Sequence, residues 1–175
     1  MPTTLSLYDM TVPIFVKRTQ QLIHVTRKGE QWCNENDKPT STLMEARIYH
    51  DMEPFPFQIQ TCYRMIIYFF SRLEIAPVPA ELPQVTTTLE ELYKHLDEML
   101  VLLASASRES FENKHDQELK FGPPTRKPWD FTGLTFAQNF ILPNFYFHTT
   151  TAYDILRMLG VPLGKLDFIG LVPAT

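Results

Sequence analysis

Apolar side chains recur at three- and four-residue spacing in four stretches of the chain, the pattern expected of helices that each bury one face. We place these helices at residues 5–28, 57–74, 88–103 and 136–160. Proline-rich or polar connections separate them, so the helices can fold back and pack side by side. The pattern predicts an all-α four-helix bundle that forms a single domain over residues 1–175.

The connection before the last helix is long and irregular. It runs from about Ser107 to Gly133 and contains the turn sequence GPPTRKP. The apolar sequences LKF and WDF flank that turn, an order that is compatible with a small β-hairpin. We therefore expect a bundle with a long irregular segment, and room for a short hairpin, before the last helix.

Prolines and capping residues indicate where the helices begin and end. Pro13 lies inside the first helix and is expected to bend its first turns, whereas Pro56 suits the first turn of the second helix. The sequence of residues 42–45 is a capping box, which predicts a short additional helix. Thr135 is expected to cap the last helix, and Gly160 is expected to end it.

The charge balance argues against a polyanionic partner. The chain has 16 Lys and Arg residues against 20 Asp and Glu residues, so it is mildly acidic and no nucleic acid is expected as its ligand. Several basic residues gather in the first helix, where we interpret them as one solvated helix face: Lys17, Arg18, Arg27 and Lys28.

Cysteine usage and hydropathy indicate the cellular compartment in which the protein resides. Cys33 and Cys62 lie far apart in sequence without metal-ligand spacing, so we expect two reduced thiols. No apolar run approaches the roughly 18 uncharged residues needed to span a bilayer, and the N-terminus lacks the pattern of a signal peptide. We expect a cytoplasmic protein that does not contact a membrane.

The best candidate site lies in the middle of the apolar face of the last helix. Asn144 and His148 are polar residues on a face that is otherwise formed by small and aliphatic side chains. Side chains four residues apart on a helix can converge on one ion or one small polar molecule. A neutral amide is a poor ligand for a transition metal, so this pair favours a polar pocket over a metal site.

A purely structural role for the same residues stays open at this point. Asn144 and His148 could bond each other, or Gln58 on the border of the buried face of the second helix. They could also bond the carbonyl of Asn139, which loses its helical donor because Pro143 has no N–H. The chain contains no Gly-rich phosphate loop and no G-x-S-x-G elbow that would indicate another catalytic site.

Three segments of the chain resemble a known family. They are LYDMTVPIF at residues 7–15, HDMEPFPFQIQTCY at residues 50–63, and PNFYFHTTTAYDILRMLGVPLGKLDFIG at residues 143–170. Together they resemble an uncharacterised domain-of-unknown-function family of bacterial and fungal proteins, within the DinB/YfiT-like four-helix bundles. The resemblance extends over essentially the whole chain.

This resemblance implies that the candidate site corresponds to a metal site of related proteins. The wider DinB-like superfamily holds a divalent metal with one histidine on the second helix and two on the fourth. His148 matches the later histidine of the fourth helix, because the sequence LRMLG follows it at the superfamily's spacing. Asn144 stands in the place of the earlier histidine, and Gln58 is the nearest inward polar residue on the second helix. The resemblance thus implies a degenerate metal pocket formed by Gln58, Asn144 and His148.

Two functional hypotheses follow. The first is a protein of unknown molecular role that has no cofactor, binds a small polar ligand in this pocket, and forms a homodimer. The resemblance implies the dimer, and the aromatic-rich helices offer surface for it through Phe69, Phe70, Tyr146 and Phe147. The alternative is a metal-dependent enzyme of the DinB or thiol-transferase type, in which His148 ligates zinc or nickel or acts as a general acid or base.

Overall fold

The computed structural model describes residues 5–171. Its long helices are α1 (Val12–Glu35), α3 (Phe55–Leu73), α4 (Leu89–Ala104) and α6 (Leu142–Leu159). Shorter elements lie in the connections: α2 (Ser41–Met44), a 3-10 turn (Glu109–Phe111), β1 (Glu118–Phe121), β2 (Trp129–Thr132), α5 (Gly133–Phe136), a π-helical turn (Ala137–Ile141) and α7 (Lys165–Ile169).

The four long helices pack around one apolar core. Helix α1 packs against α4 and α6, and α3 packs against the same two helices. Six phenylalanines are 0% exposed, and they come from α1, α3, α6 and α5: Phe15, Phe55, Phe69, Phe70, Phe136 and Phe145. The all-α four-helix bundle expected from the sequence is confirmed.

Helix α1 begins later than its apolar pattern predicts. Pro13 occupies the first turn, where its missing N–H costs nothing because that amide has no helical partner. The residues before it form a turn in which the Ser6 hydroxyl donates to Asp9 Oδ2 (2.7 Å) and the Asp9 amide donates to Ser6 Oγ (3.1 Å). Pro13 therefore starts the helix and does not bend its interior, which corrects our expectation.

Helix α1 also continues through Gly29, where the sequence suggested a connection. A Cβ added to Gly29 would lie 3.2 Å from Leu156 Cδ2 and 3.3 Å from Leu43 Cδ1. Because Gly29 has no side chain, α6 and α2 approach α1 closely at this point. That packing offsets the roughly 1 kcal/mol by which glycine disfavours a helix relative to alanine.

Helix α2 begins before the capping box that the sequence indicates. It spans Ser41–Met44, and no side chain caps its N-terminus. The capping box expected at residues 42–45 is therefore wrong, although the additional helix itself is present.

Helix α3 is buried on more sides than its pattern predicts. Gln60, which the periodic pattern places opposite the buried face, is 0% exposed. Its Nε2 and a guanidinium nitrogen of Arg64 both donate to the carbonyl oxygen of Pro83. Pro83 belongs to the proline-rich connection between α3 and α4, residues 74–88, which we call the strap. The strap covers this polar side of α3.

The connection before the last helix contains the expected hairpin. Strands β1 and β2 pair antiparallel, with Glu118 opposite Thr132 and Phe121 opposite Trp129. Thr132 and Thr135 then cap α5 reciprocally, since the Thr135 amide donates to Thr132 Oγ1 (3.2 Å) and the Thr132 amide to Thr135 Oγ1 (2.8 Å). The last helical stretch therefore starts at Thr132, earlier than we expected.

Helix α6 ends as the sequence predicts. Gly160 follows its last residue with a φ of 96°, a left-handed conformation that glycine adopts without a steric penalty.

A buried carboxylate joins α7 to α1. Asp167 is 7% exposed and accepts hydrogen bonds from His24 Nε2 (2.7 Å), Lys28 Nζ (3.0 Å) and the Gly164 amide (2.6 Å). Burial alone raises the pKa of Asp167, but these hydrogen bonds outweigh burial and lower the pKa to about 2. The carboxylate is therefore ionised at neutral pH and links the two helices.

Arg18 makes a second connection between the same helices. Its guanidinium donates to the carbonyl of Phe168 and lies 5.2 Å from the centroid of the Phe168 ring. The basic face of α1 is thus partly a docking surface for α7, which corrects our expectation of a solvated face.

Both cysteines are unbridged and buried. Burial raises the pKa of Cys33 and of Cys62, so both are neutral thiols at neutral pH. Over residues 5–171, no helix combines the length and the apolar character needed to cross a bilayer.

Candidate functional site

His148 on α6 and Gln58 on α3 meet in the structure. His148 Nδ1 lies 2.8 Å from Gln58 Oε1, and Gln58 Nε2 donates to the Glu53 carbonyl oxygen at 2.8 Å. The bond to Glu53 uses the amide nitrogen, so the amide oxygen faces the imidazole and Nδ1 carries the hydrogen. His148 Nε2 is therefore the nitrogen with the free lone pair.

The surroundings of His148 keep its imidazole neutral. The ring of Phe57 lies 6.3 Å from it and the ring of Phe147 lies 5.2 Å from it, centroid to centroid. Burial lowers the pKa of His148 from 6.5 to about 4, because the charged form loses hydration. At neutral pH the side chain is thus a hydrogen-bond donor at Nδ1 and an acceptor at Nε2.

Asn144 bonds its own helix. Its Nδ2 donates to the Phe140 carbonyl at 2.7 Å. The π-helical turn at Ala137–Ile141 and Pro143 interrupt the regular backbone ladder just before this point. The Asn144 amide thus supplies a donor to a carbonyl where the ladder is disturbed, a structural role like the one left open above, although the partner is Phe140 and not Asn139.

Of the three expected pocket residues, the structure joins two. Gln58 is 2% exposed and bonds His148, whereas Asn144 lies one turn before His148 on α6 with its amide nitrogen already engaged. The sequence did not indicate the third group in this set of hydrogen bonds, the Glu53 carbonyl. It is a backbone atom in the loop before α3, and no side-chain pattern marks it.

Comparison with known proteins places the chain in a family. The sequence profile of a family described as a domain of unknown function (DUF1993) matches residues 7–169. The chain belongs to the DUF1993 family. No curated protein matches it.

A solved structure is similar to this DUF1993 chain over nearly its whole length. It is the crystal structure of a DinB family member protein from Shewanella denitrificans, determined at 1.83 Å, with a TM-score of 0.82 and 31% sequence identity. The match covers 97% of this chain and 94% of that chain. The resemblance to a DinB-like family of unknown function is confirmed.

The donors in this DUF1993 chain do not fit the divalent metal that the DinB-like resemblance implies. His148 Nδ1 is protonated toward Gln58, and the Gln58 amide is engaged at both of its polar atoms. One imidazole nitrogen, His148 Nε2, and one amide oxygen, Asn144 Oδ1, are then left, whereas zinc sites use three or four protein ligands. Within residues 5–171 no group of three or more His, Cys, Asp or Glu side chains is placed to hold a metal ion.

Proposed function

We propose that this DUF1993 chain is a binding protein whose site at His148 and Gln58 is a degenerate DinB-type metal pocket, and that the site takes a small polar ligand without a metal. The observation that carries the proposal is the relay from the Glu53 carbonyl through the Gln58 amide to His148 Nδ1. It fixes the tautomer and leaves Nε2 as an acceptor, so the ligand contributes a hydrogen-bond donor.

The relay supports a binding role because it engages the Gln58 amide and His148 Nδ1 in hydrogen bonds, so these atoms do not serve as metal ligands. In a metal site the imidazole nitrogen that faces away from the metal usually donates to a carboxylate, carbonyl or water. Here Gln58 occupies the helix that bears a ligand in the superfamily, yet it serves as that outer partner for His148. The residue at this former ligand position now orients His148 and does not bind a metal.

The catalytic alternative has weaker support. General acid and base groups work best when their pKa lies near the operating pH. The pKa of His148 is lowered to about 4 by burial, so its neutral form is a weak base and its charged form is scarce at neutral pH. A hydrogen-bonding role suits such a group better than proton transfer.

We also propose that the protein is a cytoplasmic homodimer. Unbridged cysteines support a reducing compartment. Helix α6 presents two large apolar side chains three turns apart, Phe147 (59% exposed) and Met158 (51% exposed), as a surface for a second copy. Phe69 and Phe70 do not contribute to that surface, because both are 0% exposed in the core; this corrects our expectation.

Restoring the lost histidines tests the degenerate pocket. We expect the natural protein to gain no thermal stability from zinc or nickel, and the double variant Gln58→His with Asn144→His to bind either metal. A metal at a hundred times its Kd stabilises a protein by about 2.7 kcal/mol, or roughly 5–10 °C for a chain of this size. A metal-induced shift of that size in the natural protein contradicts the proposal. A folded double variant that binds no metal contradicts the correspondence of these positions with the metal ligands.

Acetamide serves as a probe of the polar site, because its N–H groups can donate to His148 Nε2. In ¹⁵N spectra we expect saturable changes of the Nε2 resonance with little change at Nδ1, since Gln58 holds that nitrogen. The control is Gln58→Leu, which removes the relay and is expected to weaken the response. An unchanged Nε2 resonance across the titration contradicts ligand binding at this atom.

A further inference from the structure

A second concave surface lies away from His148, between the strap and α4. It has a volume of about 820 Å³, within the range typical of small-molecule sites. Its walls are mainly apolar and aromatic, formed by side chains of the strap, of α4 and of Tyr63 on α3: Pro77, Pro79, Pro83, Tyr93, Val101 and Leu102. We call it the strap groove.

The strap groove adjoins a smaller recess of about 200 Å³, and Lys94 and His95 line both. Two side-chain atoms at this recess have no hydrogen-bond partner within residues 5–171: His95 Nδ1 and Thr86 Oγ1. Thr86 is only 9% exposed. A buried polar atom without a partner destabilises the folded protein, so a ligand that satisfies both atoms gains binding free energy there.

Both atoms can accept a hydrogen bond. Burial lowers the pKa of His95, so its imidazole is neutral at neutral pH and one ring nitrogen has a lone pair. A threonine oxygen accepts in any rotamer of its hydroxyl. The matching group on a ligand is a multiple donor such as an ammonium.

The charge around the groove also favours a positively charged ligand. Its lining contains four carboxylates, Glu81, Glu90, Asp97 and Glu98, against a single lysine, Lys94. Lys94 lies 3.9 Å from Glu98 and partly neutralises it. The other three carboxylates have no ion-pair partner within the described part of the chain. A cation is therefore attracted to the groove, and an anion is repelled.

We propose that the strap groove is a second binding site, specific for a small organic amine with an apolar or aromatic body. The ammonium group donates to His95 and Thr86 in the recess, where it is attracted by Glu91 and by the carboxylates of the adjoining groove. The body of the ligand packs on the prolines of the strap and on the rings of Tyr63 and Tyr93, where a cation also gains from the aromatic faces.

The wall of this site is preformed. Proline fixes φ, so the strap has little conformational freedom to lose when a ligand binds. Gln60 and Arg64 hold the strap on α3 through the Pro83 carbonyl. On the opposite wall, the Tyr93 hydroxyl donates to Glu30 at 2.7 Å, which fixes the ring on α1.

Three ligands of one shape test the proposal: benzylamine, benzyl alcohol and benzoate. We expect saturable binding of benzylamine by calorimetry, with amide shifts centred on residues 86 and 93–98. We expect benzyl alcohol to bind roughly tenfold more weakly, a difference that one charge-assisted contact accounts for, and benzoate not to bind. Equal binding of benzoate and benzylamine overturns the proposal.

Matched variants localise the site. The double variant Glu81→Gln with Asp97→Asn and the single variant Thr86→Val are each expected to weaken benzylamine at least about fivefold. The hairpin double variant Glu118→Gln with Asp130→Asn changes the net charge equally and is expected to leave binding unchanged. If both charge variants weaken binding equally, the amine is held by diffuse charge and the proposal is wrong. His148→Ala is expected to keep full benzylamine binding, which separates this site from the proposed function.

Discussion

At His148 the imidazole is held in one tautomer, because the Gln58 amide presents an acceptor to Nδ1 and is itself fixed by the Glu53 carbonyl. Burial then removes the charged form from the neutral pH range. The chemistry of this residue follows from its neighbours more than from its type. Two substitutions around it can separate those influences.

Replacing Gln58 by glutamate should raise the pKa of His148. The substitution keeps the size and the acceptor for Nδ1, although it replaces the amide donor to the Glu53 carbonyl by an oxygen. It adds a negative charge at hydrogen-bond distance from the imidazole, which favours the imidazolium. We expect an increase of at least about one unit, measured by NMR titration of the imidazole. Gln58→Leu, which removes the acceptor without adding charge, should leave the pKa low. A pKa that stays near 4 in the glutamate variant contradicts the contact.

The same residue should make stability depend on pH. Its pKa is about 4 in the folded protein, against 6.5 for an unperturbed histidine, so the unfolded chain binds more protons between these values. Stability is therefore complete above about pH 6.5 and falls as the pH decreases to about 4, by up to roughly 3 kcal/mol. Urea unfolding at several pH values measures this. His148→Asn should flatten the profile in that window, whereas His115→Asn, at an exposed site, should not.

At the level of helices and strands, the sequence predicts what local periodicity determines. The sequence pattern places a helix at residues 88–103, and α4 forms there with Thr88 as its cap, since the Glu91 amide donates to Thr88 Oγ1 at 3.3 Å. The predictions fail where contacts with a segment distant in sequence determine the local structure. Gln60 is buried because the strap covers it, and α1 passes Gly29 because Leu43 and Leu156 pack there. Neither contact leaves a local pattern.

The candidate site shows the same limit. The sequence places His148 on an apolar helix face and Gln58 on the border of another. Their bond, and the Glu53 carbonyl behind it, depend on how α3 and α6 pack. The engagement of Asn144 with Phe140 depends on the π-helical turn, which the proline alone does not specify.

The junction between the hairpin and α5 allows a test at this level. A Cβ added to Gly133 would lie 2.0 Å from the backbone oxygen of Lys114, so Gly133→Ala must displace the backbone. We expect a loss of roughly 2 kcal/mol in unfolding free energy. Gly164→Ala is the control, since its nearest contact would be 3.8 Å away at Asp167 Oδ2, and it should change stability little. Equal effects of the two variants contradict the close approach at Gly133.

In the whole molecule, the described surfaces are distributed over different helices. The relay joins α3 to α6, the strap groove lies along α4, and the exposed apolar stripe of α6 holds Phe147 and Met158. A dimer formed through α6 would leave the strap groove open, because α6 packs against α1 and α3 and does not line that groove.

Substitutions at exposed apolar positions test the dimer. Met158→Glu places a charge in the proposed interface and should shift sedimentation equilibrium toward the monomer by at least roughly tenfold in Kd. Val101→Glu, at a side chain that is 72% exposed on α4, should leave association unchanged. A natural protein that is monomeric at all accessible concentrations, or a Val101→Glu variant that dissociates instead, contradicts the proposed face.

The strap has a further consequence, in the time course of folding. Pro77, Pro79 and Pro83 are all trans in the folded chain, whereas each such bond is cis in about 10–30% of unfolded molecules and isomerises over tens of seconds. Helices with local contacts form far faster than this. During refolding we therefore expect many molecules to form the bundle while at least one strap proline is still in the cis form. In those molecules we expect the Pro83 carbonyl to reach Gln60 and Arg64 after the bundle has formed, and we expect a prolyl isomerase to shorten that delay without altering the final structure.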